Sequence, residues 1–284
     1  MTSASGLPVA PRCRVILDND WAGDPDGLVA LAHHLLSPAN RVDLITSSFL
    51  NPVFESPGGA ERGAAFAEDL LDLVGAVPRP PVVAGSEAAL GPTTGAAAEA
   101  IVVAARLDDP LPLLLVCAGP LTNVAEALRL DPGIARRMTL VWVGGAAEDR
   151  GFEYNRDTDP AASALVFGTA GLPVVSFPLE AYERCAYSVA ELEHDLRGSG
   201  RIGRWLWERF VGLPLPEGFP IGATWALGDS PPLLVTALTD ASSSFLVDPG
   251  GPGERRRCTA VDFRLIVGDL LARLRLHEAR RAGG

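Results

Sequence analysis

Residues 111–117 read LPLLLVC, an almost wholly apolar run stopped by Gly119-Pro120. A strand with one wet face alternates polar and apolar residues. A strand without alternation is buried on both faces, as in a parallel sheet with helices above and below. The rest of the chain agrees with such a sheet. Residues 14–17, 42–49, 140–143 and 173–177 read as further strands, and 81–85 as a brief one. Between them, 28–36, 60–74, 96–107 and 121–130 have helical spacing. Asp159-Pro160 starts another helix, with Asp as N-cap and Pro at its first position. Strands and helices alternating at this length predict an α/β fold, a mostly parallel doubly wound sheet with covering helices.

From Ser188 onward the pattern changes. Residues 189–196 and 202–210 read as helices, 213–222 as a Pro/Gly-rich loop, 231–238 as an apolar segment, 244–247 as a short strand and 261–276 as a closing helix. This last part reads as helices that cover the sheet. No linker, repeat or low-complexity tract interrupts the chain, so the expectation is a flexible start over residues 1–12 and one domain over 13–284.

The first strand runs directly into Asp18, Asp20, Asp24 and Asp26, four carboxylates in nine residues, before the first helix begins at Leu28. In an open α/β sheet that turn lies at the carboxyl edge of the strands, where ligands bind. Crowded carboxylates repel each other unless a cation, a shared proton or water relieves them. Calcium and magnesium are the natural relievers, because hard cations take carboxylate and carbonyl oxygens. Later strand ends carry polar groups too: Asn51, Ala118-Gly119, Glu153-Tyr154-Asn155 and Asp229. Singly, each has a structural explanation: a turn cap for Asn51, a solvated face for Glu153, a helix N-cap for Asp229. Jointly they describe a cleft rich in carboxylates and amides, suited to a cation and a polyhydroxylated ligand such as a sugar.

Composition excludes several alternatives. All 24 basic residues are arginine, and the absence of lysine removes Schiff-base chemistry and the Walker-type phosphate loop. It also argues against a haloacid-dehalogenase-type phosphatase, which likewise begins with a strand ending in Asp-x-Asp but needs a downstream lysine. A net charge of −11 without a basic stripe makes nucleic acid and anionic membranes poor partners. Residues 1–12 lack the basic and apolar regions of a signal peptide, and no apolar run reaches membrane-spanning length. Cys13, Cys117, Cys185 and Cys258 show no paired or metal-type spacing, so a reduced, cytoplasmic protein is expected.

Together these segments resemble the inosine-uridine-preferring nucleoside hydrolase family. Asp18-Asn19-Asp20 followed by Asp24-Pro25-Asp26 is similar to the family's N-terminal aspartate motif, in a longer bacterial variant with two extra residues. Residues 118–123, Ala-Gly-Pro-Leu-Thr-Asn, resemble its Gly-Pro-Leu-Thr-Asn turn, and Glu153-Tyr154-Asn155 with Asp159-Pro160-Ala161-Ala162 resembles its Glu-Phe-Asn…Asp-Pro-Glu-Ala stretch. Asp229 falls where the family places a late calcium-binding aspartate. The matches run in order from the first strand to Asp229 and so span most of the chain.

The resemblance implies an N-glycosidase that splits a ribonucleoside into base and ribose. It implies a calcium ion held by Asp20, by Asp24 or Asp26, by the Ala118 carbonyl and by Asp229. Asp20 would be the catalytic base, and Asn51, Glu153, Asn155 and Asp26 would bind substrate. Relatives are homodimers or homotetramers. Two departures stand out: Gly27 replaces a second adjacent aspartate, and Gly228 replaces the histidine that serves some members as general acid. Stacking on the base is then the remaining help for the leaving group, with Trp225 the nearest candidate and Trp21 the second. Trp205 and Trp207, two apart on a helix, face different sides, and at least one is expected in the core. His33, His34, His194 and His277 lie on helices outside the motifs and read as surface or packed residues. A sugar-binding member without activity, and a hydrolase of a modified nucleoside, remain alternative readings.

Overall fold

The structure, a computed structural model, describes residues 7–54, 56–147, 151–214, 222–248 and 252–283. In chain order, β1 (Cys13–Asn19) leads to α1 (Asp26–Leu36), β2 (Asn40–Ser47), α2 (Gly59–Val74), β3 (Val82–Ala84), α3 (Ala96–Arg106) and β4 (Leu113–Cys117). Then come α4 (Thr122–Leu130), β5 (Met138–Val143), α5 (Tyr154–Thr158), α6 (Pro160–Gly168), β6 (Val174–Phe177) and α7 (Leu179–Tyr182). The remainder is β7 (Ala186–Ser188), α8 (Val189–Arg197), α9 (Gly200–Val211), β8 (Thr224–Ala226), α10 (Leu233–Thr236), β9 (Ser244–Val247), β10 (Arg255–Ala260) and α11 (Phe263–Ala282).

The main sheet has the order β3-β2-β1-β4-β5-β6-β10-β9. Every neighbouring pair is parallel except the last, where β9 runs antiparallel to β10. Its central strands carry side chains into two separate cores, one on each face. Along β1, Val15 and Leu17 pack with α1, α2, α8, α9 and α11, while Ile16 packs with α3, α4 and α6. This is the arrangement that the unbroken apolar run at residues 113–117 demands: Val116 enters the first core and Leu115 and Cys117 enter the second.

Asp159 caps α6 by accepting from the Ala162 amide at 2.9 Å, with Pro160 in the first turn, as its sequence indicates. Trp205 and Trp207 are both half-buried against the first core, so neither is set apart at the surface. Two parts of the chain depart from expectation. The C-terminal region does supply covering helices, but it also adds β10 and β9 to the main sheet. β10 reads RRRCTA, and three successive arginines hide the strand pattern. All three are half-buried, and the Arg256 head lies over the Phe245 ring at 4.8 Å and pairs with Asp240 at 2.9 Å. Second, β7 and β8 form a small antiparallel pair whose strands are too short for any periodicity to register. Most of the Pro/Gly-rich loop, residues 215–221, lies outside the described residues.

Candidate active site

From β1 the chain moves outward to β2 and β3, then returns to lay β4 against the other side of β1. The loops after β1 and β4 therefore diverge in opposite directions and leave a crevice at the carboxyl edge, the usual ligand position in such sheets. Asp18 sits beneath this crevice and is committed to the interior. It accepts from Thr46 Oγ1 at 2.6 Å, Asn123 Nδ2 at 2.8 Å and Cys117 Sγ at 3.4 Å, tying together β1, β2, β4 and α4. Burial pushes its carboxyl up to about 6, with these hydrogen bonds working against the rise. It forms the floor of the crevice.

Above it, Asn19, Asp20, Asp24, Asp26 and Asp229 form one linked group. Asn19 Oδ1 accepts from the Asp20 amide at 2.8 Å, and Asn19 Nδ2 donates to Asp229 Oδ2 at 2.8 Å. The Asp229 amide donates to Asp26 Oδ2 at 2.9 Å, and the Asp26 amide approaches Asp24 Oδ1 at 3.4 Å. Asp26 is buried in the first turn of α1. Desolvation raises its carboxyl well above the usual range, and the charges of Asp229, Asp24 and Asp20 raise it further. Asp229 is raised well above its ordinary value too, by desolvation first and then by the charges of Asp20 and Asp24. Asp24 has an exposed outer edge, but enough protein surrounds its carboxylate for desolvation to lift it to about 6. Gly119 allows the β4 loop to approach: a Cβ there would lie 3.0 Å from the Asp20 amide nitrogen and 2.8 Å from Ser48 Oγ.

The remaining candidates sit on the adjoining loops. Ala118, at the end of β4, is buried, and its carbonyl accepts from Asn155 Nδ2 at 3.1 Å. Asn155 Nδ2 also donates to the Val143 carbonyl at 2.9 Å, joining the ends of β4 and β5. Glu153 is not solvated. It caps α5, accepting from the Asn155 and Arg156 amides at 3.3 and 2.9 Å, from the Gly145 amide at 2.7 Å and from the Tyr182 hydroxyl at 3.0 Å. Asn51 is buried; its Nδ2 donates to Thr158 Oγ1 at 3.0 Å, and its backbone N–H donates to the Tyr154 hydroxyl at 3.0 Å.

The two tryptophan candidates separate. Trp225 lies at the acid cluster and donates Nε1–H to Asp24 Oδ1 at 2.8 Å, while its ring meets Phe210 edge-on at 5.5 Å. Trp21 is packed away: it is 3% exposed and donates to the Thr46 carbonyl at 2.8 Å. The histidines stay outside the crevice; His33 and His34 are buried in α1, bonded to Asp269 and to Ala30 and Thr236. Sequence reasoning passed over Asn19 and Tyr182. Asn19 lies between two singled-out aspartates, which is a signal of position. Tyr182 has none: its ring lies against Gly228, where an added Cβ would meet Cδ2 at 3.1 Å.

The oxygens gathered here are those a hard cation takes. Asp24, Asp26 and Asp229 make no ion pair with arginine among the described residues, so their mutual repulsion is uncompensated by the protein. In charge and donor chemistry the residues fit a divalent ion. Among the described residues, however, no three His, Cys, Asp or Glu side chains are arranged as a metal group. The carboxylates turn instead to Trp225, the Asp229 amide and Asn19, and closing on a cation requires some of these N–H bonds to be exchanged.

The family model described as inosine-uridine preferring nucleoside hydrolase matches residues 15–225. The non-specific ribonucleoside hydrolase RihC of Salmonella paratyphi B is 35% identical over 109 residues, which is 37% of this chain and 35% of the relative's length. The match thus spans about a third of that relative. Among solved structures, the purine-preferring ribonucleoside hydrolase from Gardnerella vaginalis superposes with a TM-score of 0.74 at 21% identity, covering 94% of this chain and 99% of that one. The plant nucleoside hydrolase PpNRh1 gives 0.72 at 19% identity, covering 93% and 99%. At these identities the structural likeness speaks to fold.

Proposed function

Because this chain belongs to the inosine-uridine preferring nucleoside hydrolase family, we propose that it hydrolyses the N-glycosidic bond of a ribonucleoside, or of a related N-riboside, to free base and ribose. The observation that carries the reading is the linked acid group Asp20–Asp24–Asp26–Asp229 at the crevice between β1 and β4, with the Ala118 carbonyl and Asn155 beside it.

Calcium is the proposed cofactor. Asp20, Asp24, Asp26, Asp229 and the Ala118 carbonyl would hold it; that carbonyl has a second lone pair beyond the one given to Asn155. When bound, such an ion supplies a Lewis acid that makes water more acidic and anchors sugar hydroxyls. Asp20 accepts the proton of the attacking water as general base. Bond breaking at C1′ passes through an oxocarbenium-like state, and the carboxylates around it supply a negative field already in place. Asn51, Asn155 and Asp26 are the proposed partners of the sugar hydroxyls. The lone pairs of Glu153 are taken by four donors, so it receives a sugar hydroxyl by releasing that of Tyr182. Trp225 is the proposed surface for the leaving base. By the same resemblance we propose a cytoplasmic homodimer or homotetramer.

The test is reducing-sugar release from a panel of purine and pyrimidine ribosides, with calcium and with chelator. Calcium-dependent ribose release is the expected result, and the preferred base names the substrate. No release from any riboside, together with no retained calcium, overturns the hydrolase reading in favour of a binding role.

A further inference from the structure

A second cavity, of about 590 Å³, opens on the sheet face that α6 covers. Pro160, Ala164 and Phe167 of α6 form one side, and Trp142, Ser176 and Arg257 of β5, β6 and β10 form the other. Its volume is that of a small-molecule site. The backbone register explains why these side chains meet. Trp142 pairs with Ser176, and Ser176 with Arg257, so an indole, a hydroxyl and a guanidinium stand in one row on one face. Two strand spacings put the ends of that row about 10 Å apart. Two residues earlier on each strand, Arg255 is in register with Val174 and faces the same way.

The charges in the lining do not cancel. Arg156 is neutralised by Asp157 at 2.6 Å and Arg256 by Asp240 at 2.9 Å. The Arg257 side chain has no ion-pair or hydrogen-bond partner among the described residues. Arg255 lies over the Phe167 ring at 5.1 Å and donates to the Phe167 carbonyl, yet its Nε–H is buried without a partner. Asp248 is the one further acid in the wall. In a chain of net charge −11, two arginines without a carboxylate, beside a cavity, mark a place where an anion is expected. A buried N–H without an acceptor is costly and calls for one. The guanidinium fork is matched by phosphate and carboxylate oxygens.

We propose that this cavity binds a small heteroaromatic molecule bearing one phosphate or carboxylate. The anion seats on Arg257 and on the Arg255 Nε–H, and the ring lies along Trp142 and Phe167. The site is separate from the acid cluster. None of Asp20, Asp24, Asp26 and Asp229 lines it, and Gly145 in its lining donates its amide to Glu153 at 2.7 Å.

The experiment is calorimetric titration of the full chain with adenosine 5′-monophosphate, nicotinate, adenosine and inorganic phosphate. It is repeated on Arg257→Gln, Arg257→Lys, the cavity-filling Ala164→Trp, and Asp20→Asn. One of the two anionic ring compounds binds the wild type, and which of them binds separates phosphate from carboxylate recognition. Arg257→Gln weakens that binding about tenfold or more, Arg257→Lys keeps part of it, and Ala164→Trp removes it. Adenosine binding, riboside turnover and the melting temperature of these three variants stay at wild-type values. The proposal is overturned if neither anionic ring compound binds at ~1 mM. It is also overturned if binding survives both Arg257→Gln and Ala164→Trp, if it is lost only in Asp20→Asn, or if inorganic phosphate binds as tightly as the monophosphate.

Discussion

Asn19 donates its side-chain amide to the Asp229 carboxylate at 2.8 Å, across 210 positions of sequence. The amide has room there because residue 27 is glycine. A Cβ on residue 27 would stand 2.6 Å from Asn19 Nδ2 and 3.1 Å from Asp229 Oδ2. The missing aspartate noted in the sequence is therefore part of a local exchange: the volume beside α1 belongs to an amide donor from β1. That donor partly offsets the desolvation that raises Asp229.

Gly27→Ala is expected to destabilise the fold by about 1–3 kcal/mol through overpacking against Asn19. Trimming the amide in the double variant Asn19→Ala/Gly27→Ala recovers part of that loss, with a coupling of about 1 kcal/mol. Urea denaturation of the four proteins measures the cycle. Strict additivity would show that the two residues do not compete for one space.

Asp20→Asn is expected to lower kcat for riboside hydrolysis by about 10²–10⁴-fold or more, the range for loss of a general base. Its urea midpoint stays near that of the wild type, because Asp20 is only half-buried and its carboxylate lies outside the Asp18 knot. Steady-state kinetics on the best riboside decides. Retained turnover removes Asp20 from the proposed role.

Calcium is expected to raise stability by about 2.7 kcal/mol when free ion is a hundredfold above its dissociation constant. Cation binding requires ionised carboxylates. Asp24 is lifted to about 6, and burial raises Asp26 and Asp229 well above the usual carboxylate range, so the gain grows as pH rises through 6. Asp229→Asn removes most of it. Thermal melts with calcium and with chelator below and above that pH, on both proteins, give the comparison; a calcium effect equal in the two would place the ion elsewhere.

His34 gives a pH effect of the same sign from a group shifted the other way. Burial lowers it from its ordinary 6.5 to about 3, so it stays neutral in the fold while the unfolded chain takes up a proton below 6.5. Its contribution is complete above pH 6.5 and is lost as pH falls from 6.5 toward 3, on the order of a few kcal/mol in total. Stability measured between pH 7 and 4 is expected to fall less steeply in His34→Gln than in the wild type. Equal slopes would mean that His34 is protonated in the fold.

The order of strands and helices as far as β6, apart from the five-residue α5, was legible because most elements are long enough to show their period, and because Gly119-Pro120 and Asp159-Pro160 punctuate the chain. The placement of the acids at the carboxyl edge followed from the same pattern. Residue type alone does not show how a side chain spends its hydrogen bonds. Asp18 looks like its neighbours in sequence, yet three donors hold it in the interior. Trp21 and Trp225 are alike as residues, but one donates to a β2 carbonyl and the other to Asp24. Glu153 satisfies the N–H groups at the start of α5. β10 was illegible because charged stems can pack as well as apolar ones when aromatic rings receive their heads.

The place of β10 between β6 and β9 has a consequence for synthesis on the ribosome. Strands β1 to β6 can assemble as they emerge, since each finds its neighbour already made, at roughly 5–20 residues per second. After Phe177 the edge of β6, Val-Val-Ser-Phe, stays open until Arg255 arrives to pair along it. An apolar strand with unpaired backbone groups is a template for pairing with other chains. A nascent chain arrested between these two points carries a nearly complete sheet and a sticky margin. Asp229, the partner of Asn19 in the crevice, emerges in the same interval.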